Sequence, residues 1–449
     1  MDIRGKKISI IGAVRSGIGA SKLAKELGAI PFVSDNNSKV KLLDAIAVFE
    51  KNGISYECGK HSERVFDCEF IITSPGVPTN SPVLKQAREK GIKIVSEVEF
   101  ASWFCKGSII SISGTNGKTT TTTLMDYTLN KCGIKCYSAG NIGEAFSEIC
   151  LDVKEGEYVA LETSSFQLDF TDSFKPMFSI MLNITPDHLD RYNNSFDEYT
   201  ASKIKITKNQ SEDDFFIYNA DDANIKKNVD NKKVQKLAFS VKSELPAGAF
   251  CKGGKMFFSW FGKITEVCSS SDLFIKGEHN IANALAVLIV AKILDLPNKK
   301  IRDAFSSFKG VEHRIEFVRE LDGVEYYNDS KATNVDSVWV ALKSFQKPLY
   351  LILGGKDKGN NYDQIRELVL QNVKKVYAIG ISAQKVYDYF HKIVQTEIMD
   401  SLESCVIAAR KEAEKNSVVL LSPACASFDM FDNYEHRGKV FKEAVSKLV

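Results

Sequence analysis

At 449 residues, 44% of them hydrophobic and 26% charged, the chain has material for two to four packed domains rather than one. Its 59 basic and 57 acidic side chains leave a formal charge of +2, which gives no basis for a polyanion partner such as DNA; short clusters such as Lys205–Lys208 read as solvated helix faces. Ten cysteines without a CxxC pair point to free thiols in a reducing compartment, and no apolar run approaches the roughly 20 residues of a membrane span, so a soluble cytoplasmic protein is expected.

The apolar stretch Ile8–Val14 contains Gly12 and is stopped by Arg15, which makes it a first strand and turn rather than a signal peptide. A second strand, Pro31–Val33, ends at Ser34-Asp35, and a later one, Phe70–Thr73, runs into Ser74-Pro75-Gly76-Val77. This is a Rossmann-like layout with an acid after the second strand. The glycine spacing, Gly12-x4-Gly17-x-Gly19, departs from the dinucleotide fingerprint. A nucleotide or nucleotide-sugar near Gly12–Gly19 and Asp35 is therefore expected ahead of NAD.

The second segment carries the strongest signal. Strand Ile109–Ile112 leads into Gly114-Thr115-Asn116-Gly117-Lys118-Thr119-Thr120 and a helix. Glycines let backbone N–H groups close around phosphate, the helix start favours negative charge, Lys118 adds a cation and Thr119 a hydroxyl for Mg2+. The strand Tyr158–Glu162 then delivers a carboxylate beside that loop, an oxygen ligand for a divalent cation.

A strand over Phe178–Ile184 is expected to end in Thr185-Pro186-Asp187-His188, where His188 is either a cap or a ligand. Ser195-Phe-Asp-Glu198 has the form of a capping box for the next helix. On that helix Phe196, Tyr199, Lys203 and Ile206 share one face, so Lys203 is a cation on an apolar stripe. Two readings stand: a snorkelling lysine, or a buried one with altered chemistry.

At Gly277-Glu-His279-Asn280-Ile-Ala-Asn283 two asparagines stand one turn apart at a helix start, placed to contact adenine or phosphate, or to cap the helix. The third segment has strands Val324–Tyr327, Leu349–Leu353, Val376–Ile379 and Val418–Leu421, each delivering a polar loop. Among these loops are Asn328–Asn334, Gly354–Lys358 and Ser422–Asp429, with Glu312-His313-Arg314 ahead of the first. Polar residues this dense after strands read as sites.

Taken in order, these motifs resemble the Mur ligases of bacterial cell-wall synthesis, along essentially the whole chain. The carrying stretches are Gly114–Thr120, Glu162-Thr-Ser-Ser-Phe-Gln167, Asn183–Tyr192, Gly277–Asn283, His313-Arg314, Asn328–Asn334 and Leu421–Gly438. Ser427-Phe428 with Tyr434-Glu435 and Arg437-Gly438 favours the D-glutamate-adding branch; the Asp-Asn-Pro-Arg signature of diaminopimelate-adding relatives is absent. The fold this implies is α/β with three domains: a Rossmann-like N-terminal domain (residues 1–98, UDP-sugar), a central P-loop ATPase-like domain (99–309, ATP) and a Rossmann-like C-terminal domain (310–449, amino acid).

The resemblance implies an ATP-dependent ligase that joins D-glutamate to UDP-N-acetylmuramoyl-L-alanine in peptidoglycan precursor synthesis. Gly114 to Thr120 would hold ATP phosphates, with Asn283, Arg314 and Asp329 on the nucleotide and Lys331 near the transferred phosphate. Thr119 and Glu162 would hold one Mg2+, and His188 and a carbamylated Lys203 a second. Thr333, Lys358, Ser427, Phe428 and Tyr434 would form the glutamate site. Arg15, Ser16, Asp35, Gly76, Asn141 and His188 would hold the UDP-sugar; Arg15-Ser16 depart from the apolar residue and Thr common in relatives. A monomer without nucleic-acid or membrane partners is expected. The rivals are another Mur ligase or a folylpolyglutamate synthetase, a P-loop kinase or NTPase with a nucleotide-binding domain, and a non-catalytic UDP-sugar sensor.

Overall fold

The alternation of β-rich runs with helices resolves into three sheets in the computed structural model, which describes residues 1–141, 144–187, 189–229, 233–357 and 359–449. The chain forms two compact units, one of Met1–Leu273 with Ile281–Ser306, the other of Phe274–Asn280 with Ser307–Val449.

The first unit holds two sheets. Lys7–Ile11 (β1), Ile30–Asp35 (β2), Ser55–Cys58 (β3), Phe70–Thr73 (β4) and Lys93–Ser96 (β5) pair in the order β3-β2-β1-β4-β5, all parallel. The order turns back on either side of β1, and a ligand crevice belongs at the carboxyl ends flanking such a reversal. The second sheet comprises Ser108–Ser113 (β6), Cys136–Gly140 (β7), Tyr158–Glu162 (β8), Phe178–Met181 (β9), Phe215–Asn219 (β10), Gln235–Ser240 (β11), Gly248–Lys252 (β12), Lys255–Trp260 (β13) and Lys263–Ser269 (β14). Its order is β14-β13-β12-β11-β10-β9-β6-β8-β7, with only the β12–β14 hairpins antiparallel. The parallel strands β6, β8 and β9 are almost wholly buried, as strands covered on both faces must be. One apolar core runs from Ile8, Ile10 and Phe70 through Phe100 to Phe146, Leu161 and Tyr199, so the two sheets share packing. At the junction Trp103 meets Phe70 and Phe100 edge-on, with ring centroids 5.5 and 5.7 Å apart.

In the second unit Glu316–Leu321 (β15), Val324–Asn328 (β16), Leu349–Gly354 (β17), Val373–Ile379 (β18), Gln395–Ile398 (β19) and Ser417–Leu421 (β20) form a sheet ordered β15-β16-β20-β17-β18-β19. It is parallel except at β15, with an apolar cluster on each face.

Two local expectations are corrected. The strand expected over Phe178–Ile184 stops at Met181, although Leu182 and Ile184 stay buried. Asn183 leaves the ladder to brace the phosphate loop, as described below, and apolar pattern alone does not register that exit. The capping box at Ser195 is half formed: Ser195 Oγ accepts from Glu198 N at 3.2 Å, but the Glu198 carboxylate accepts from Asn193 Nδ2, and Ser195 N donates to Tyr192 O.

Candidate active site

The loop expected to hold phosphate joins β6 to the helix Lys118–Cys132. Gly117 sits at φ 85° at the helix start, a left-handed conformation that favours glycine, and a Cβ there would come within 2.7 Å of Asn283 Oδ1, forcing that side chain to shift. The loop is braced from the segment just after β9: Thr115 N donates to Asn183 O, Asn116 N to Asn183 Oδ1 at 2.8 Å, and Asn183 Nδ2 back to Asn116 O at 3.0 Å. Thr115 Oγ1 donates to Thr185 O and accepts from Thr185 N. The backbone cradle is thus fixed by the fold itself.

Around it lie the expected charged groups. Lys118 Nζ donates to Gly114 O and Thr115 O at 2.9 and 2.7 Å, folded back over the loop. Thr119 Oγ1 donates to Glu162 Oε2 at 2.8 Å, both residues being buried, and Asn141 Nδ2 reaches Glu162 Oε1 at 3.2 Å. Lys203, on the helix Phe196–Ile204, is only 2% exposed, which decides against the snorkelling reading. Its Nζ donates to Gly114 O at 2.8 Å and lies 4.8 Å from the Tyr199 ring centroid. Burial and the neighbouring Lys118 cation push its pKa well below the usual lysine range, against the pull of Asp187 and Glu162. A buried neutral amine can react as a nucleophile, as an ammonium cannot. His188 and Lys358 lie outside the described residues.

The UDP-sugar expectations converge on a cavity of about 590 Å³. Arg15, Ser16, Asp35, Gly76 and Asn141 all line it, four from the first sheet's loops and Asn141 from the loop after β7. Arg15 and Ser16 open the helix Arg15–Glu26. Asp35 accepts from Ala13 N at 2.7 Å and from Asn37 N and Nδ2 at 2.7 and 2.8 Å, so its carboxylate shapes the wall. Sequence reasoning missed Arg191, which donates to Pro75 O and Gly76 O at 2.7 and 2.9 Å and ties the cavity's rim to the 183–191 segment. It also missed His61 and Asn37 in the cavity wall; their signal was a polar residue just past a strand end.

In the second unit Asp329 is buried, accepts from Ile315 N and Ser422 Oγ, and burial lifts its pKa to about 7 against the pull of those hydrogen bonds and Arg314. Arg314 Nε is buried without a hydrogen-bond partner among the described residues, a donor suited to an incoming acceptor. His313 sits at φ 64° with Nδ1 2.9 Å from Asn328 Nδ2, and a Cβ on Gly438 would come within 2.1 Å of that nitrogen. Glu312, His313 and Glu316 bring ligand atoms within 4.8 Å, but Lys442 Nζ lies 2.5 and 3.0 Å from the two carboxylates, making an ion-pair network. Asn280 Nδ2 caps backward onto Lys276 O, whereas Asn283 stands against Gly117.

The loops bearing Lys331 and Thr333, and Ser427 and Phe428, are joined by Arg437. This side chain, 1% exposed, donates to Ser330 Oγ and O and to Cys425 O at 2.8–3.1 Å. Sequence reasoning noted Arg437 but not its role. Tyr434 begins the helix Tyr434–Ser446; its carbonyl accepts from Ser330 Oγ, and its ring lies 5.4 Å from Lys331 Nζ. Ser427 is buried and Phe428 is 69% exposed.

Three family descriptions match the chain: the Mur ligase MurD-like N-terminal domain over residues 6–96, the Mur ligase middle domain over 112–291, and the Mur ligase glutamate ligase domain over 313–425. UDP-N-acetylmuramoylalanine--D-glutamate ligase from Christiangramia forsetii is 42% identical over 99% of this chain and 100% of its own length. The ligase of the same name from Koribacter versatilis is 43% identical over 100% and 99%. Among solved structures, UDP-N-acetylmuramate-alanine ligase MurC from Thermotoga maritima superposes with a TM-score of 0.61 at 19% identity, covering 98% of this chain and 99% of that one.

Proposed function

The chain belongs to the Mur ligase family, and we propose that it joins D-glutamate to UDP-N-acetylmuramoyl-L-alanine at the expense of ATP, through an acyl phosphate, in peptidoglycan precursor synthesis. The observation that carries the phosphoryl chemistry is the Thr119–Glu162 pair at the mouth of a braced phosphate loop. The D-glutamate assignment is supported by relatives of that name matching from end to end.

A carboxylate is a poor electrophile because it is anionic and lacks a good leaving group; phosphorylation corrects both faults. Its oxygen attacks the γ-phosphorus of ATP, the β–γ bridging bond breaks, and ADP departs. The amine of D-glutamate then attacks the acyl carbon, losing a proton as phosphate leaves. Anion-on-anion attack needs positive charge fixed in advance. In this reading residues 1–98 hold the UDP-sugar, 99–309 hold ATP and 310–449 hold the amino acid. Gly114 to Thr120 cradle the phosphates, and Asn283, Arg314 and Asp329 hold the nucleotide. Lys118 and Lys331 neutralise the transferred phosphoryl group. Thr333, Lys358, Ser427, Phe428 and Tyr434 hold D-glutamate.

The donor set of Thr119 and Glu162, two buried oxygen ligands beside the loop, fits Mg2+. When bound, the ion supplies charge neutralisation at the phosphates. Lys203 fits a second role. Its depressed pKa favours the neutral amine, whose nitrogen adds to the carbon of CO2 while one C=O π bond opens and a proton leaves to solvent. The resulting carbamate puts anionic oxygen ligands where the neutral amine stood, which with His188 would hold a second Mg2+. The protein in this reading is a cytoplasmic monomer. Among the described residues no helix is long and apolar enough to cross a membrane.

The test is ADP release measured with D-glutamate, L-glutamate, L-alanine and diaminopimelate in turn. Release with the UDP-sugar that depends on D-glutamate alone is expected. Dependence on another amino acid would transfer the chain to another branch, and release without any would favour a kinase or NTPase.

A further inference from the structure

Phosphate binding at a helix start places a diphosphate at Gly12–Ser16 and its nucleoside beyond the carboxyl end of β2. Asp35, the acid expected to meet the nucleoside there, is already engaged with Ala13 and Asn37. Just past β3, the adjacent strand, His61 lines the same cavity of about 590 Å³.

The protonation of His61 follows from its neighbours. Its Nδ1 lies 2.7 Å from Ser34 Oγ, and that fully buried hydroxyl lies 2.7 Å from Glu57 Oε1. Burial raises the Glu57 pKa, but hydrogen bonds from Ser62 and Ser34 outweigh it and hold the group below the usual carboxylate range. Glu57 is therefore ionised at neutral pH and only accepts. The single Ser34 proton goes to Glu57, so His61 donates to Ser34 from Nδ1. Burial holds the His61 pKa below its ordinary value, against the opposing charges of Glu57 and Asp35, and keeps the ring neutral. A neutral imidazole with its proton on Nδ1 carries a lone pair on Nε2. That nitrogen has no hydrogen-bond partner among the described residues.

We infer that His61 is a further substrate-binding residue whose Nε2 accepts a hydrogen bond from the uridine, at the uracil imide N–H or a ribose hydroxyl. The inference rests on the UDP-sugar reading of the cavity. It explains why a serine and a glutamate are arranged behind a histidine at the cavity wall: they fix the tautomer that presents an acceptor.

Titration calorimetry on the full chain with UDP, 3-methyl-UDP, 2′-deoxy-UDP and 3′-deoxy-UDP tests it, using wild type, His61→Phe and His61→Gln. His61→Phe should bind UDP roughly 3- to 10-fold more weakly, and His61→Gln, whose amide oxygen accepts, should recover part of the loss. One modified ligand should bind wild type more weakly by a similar factor yet show no such penalty in His61→Phe. The analogue that does so identifies the donor. Unchanged UDP affinity in His61→Phe, or ligand penalties equal in both proteins, would overturn the inference and leave the UDP-sugar reading standing. Failure of wild type to bind UDP at all would overturn both.

Discussion

At the phosphate loop the groups proposed for chemistry are already held by the fold, whereas the proposed amino-acid site is assembled from separate loops. Lys118 and Lys203 both reach the Gly114 carbonyl, Thr119 holds Glu162, and Asn183 braces the turn from below. In the second unit Ser330 and Cys425 belong to different loops and are joined through the buried guanidinium of Arg437. Ser427 beside that junction is buried, while Phe428 is largely exposed. The difference matches the tasks proposed for them. Stabilising charge that develops on a phosphoryl group rewards donors fixed before reaction. Capturing a small dicarboxylic amino acid asks for a few charge-assisted contacts that form with the ligand.

Substitutions can sharpen or break this contrast. The largest effect belongs to Lys203→Ala, which should lower kcat by on the order of 100-fold or more and regain part of it with acetate or formate, small carboxylates that restore oxygen ligands. High activity without rescue would end the carbamate reading. Lys118→Ala should cost about 3 kcal/mol of transition-state stabilisation, roughly 100-fold, without lowering the thermal midpoint, because the role proposed for its ammonium is towards the phosphate rather than the core. Near-normal ADP release would remove the phosphate role from the loop.

In the amino-acid region the losses should be smaller and fall on KM. Lys358→Ala should raise KM for D-glutamate roughly 10- to 150-fold with little change for the UDP-sugar, since one charge-assisted contact contributes about 1.5–3 kcal/mol. Ser427→Ala should act in the same direction by only a few-fold. Steady-state kinetics with each substrate varied in turn separates these outcomes, and a selective loss of ATP affinity would contradict the assignment.

A further effect falls on stability rather than on turnover. The carboxyl of Asp329 has a folded pKa of about 7, above its ordinary 3.8, so the folded state binds the extra proton between those values. Its stabilising contribution is complete at the acid end and lost as pH rises towards and through 7. Asp329→Asn should therefore flatten that dependence, gaining relative to wild type by up to a few kcal/mol on going from pH 4 to pH 8. Parallel pH profiles for the two proteins in urea unfolding would show that the carboxyl is solvated.

The two regions also differ in how far the sequence reveals them. Gly114 to Thr119 and Glu162 are legible because strand, loop and helix follow one another, and the chemistry lies within a few residues of each strand end. Lys203 was legible as an anomaly on an apolar face, but only tertiary packing decides between snorkelling and burial. Asn183, Arg191 and Arg437 act across 67, 115 and 107 residues of chain, on Asn116, Gly76 and Ser330, and no local pattern encodes such partners. The same reason explains the truncated strand at Met181, where burial continued but pairing did not. In the second unit the polar loops were visible as dense clusters, yet their division of labour came from family resemblance, because side chains on separate loops carry no mutual spacing.

Activation of the UDP-sugar's carboxylate as an acyl phosphate is the central step proposed for this enzyme, and isotope tracing reads it directly. UDP-N-acetylmuramoyl-L-alanine labelled with 18O at both carboxylate oxygens is turned over with ATP and D-glutamate, and the released phosphate is analysed by mass spectrometry. One 18O in each inorganic phosphate and one retained in the new amide is the expected result. Unlabelled phosphate accompanying a fully formed amide would contradict the acyl-phosphate route and the role assigned to the phosphate loop.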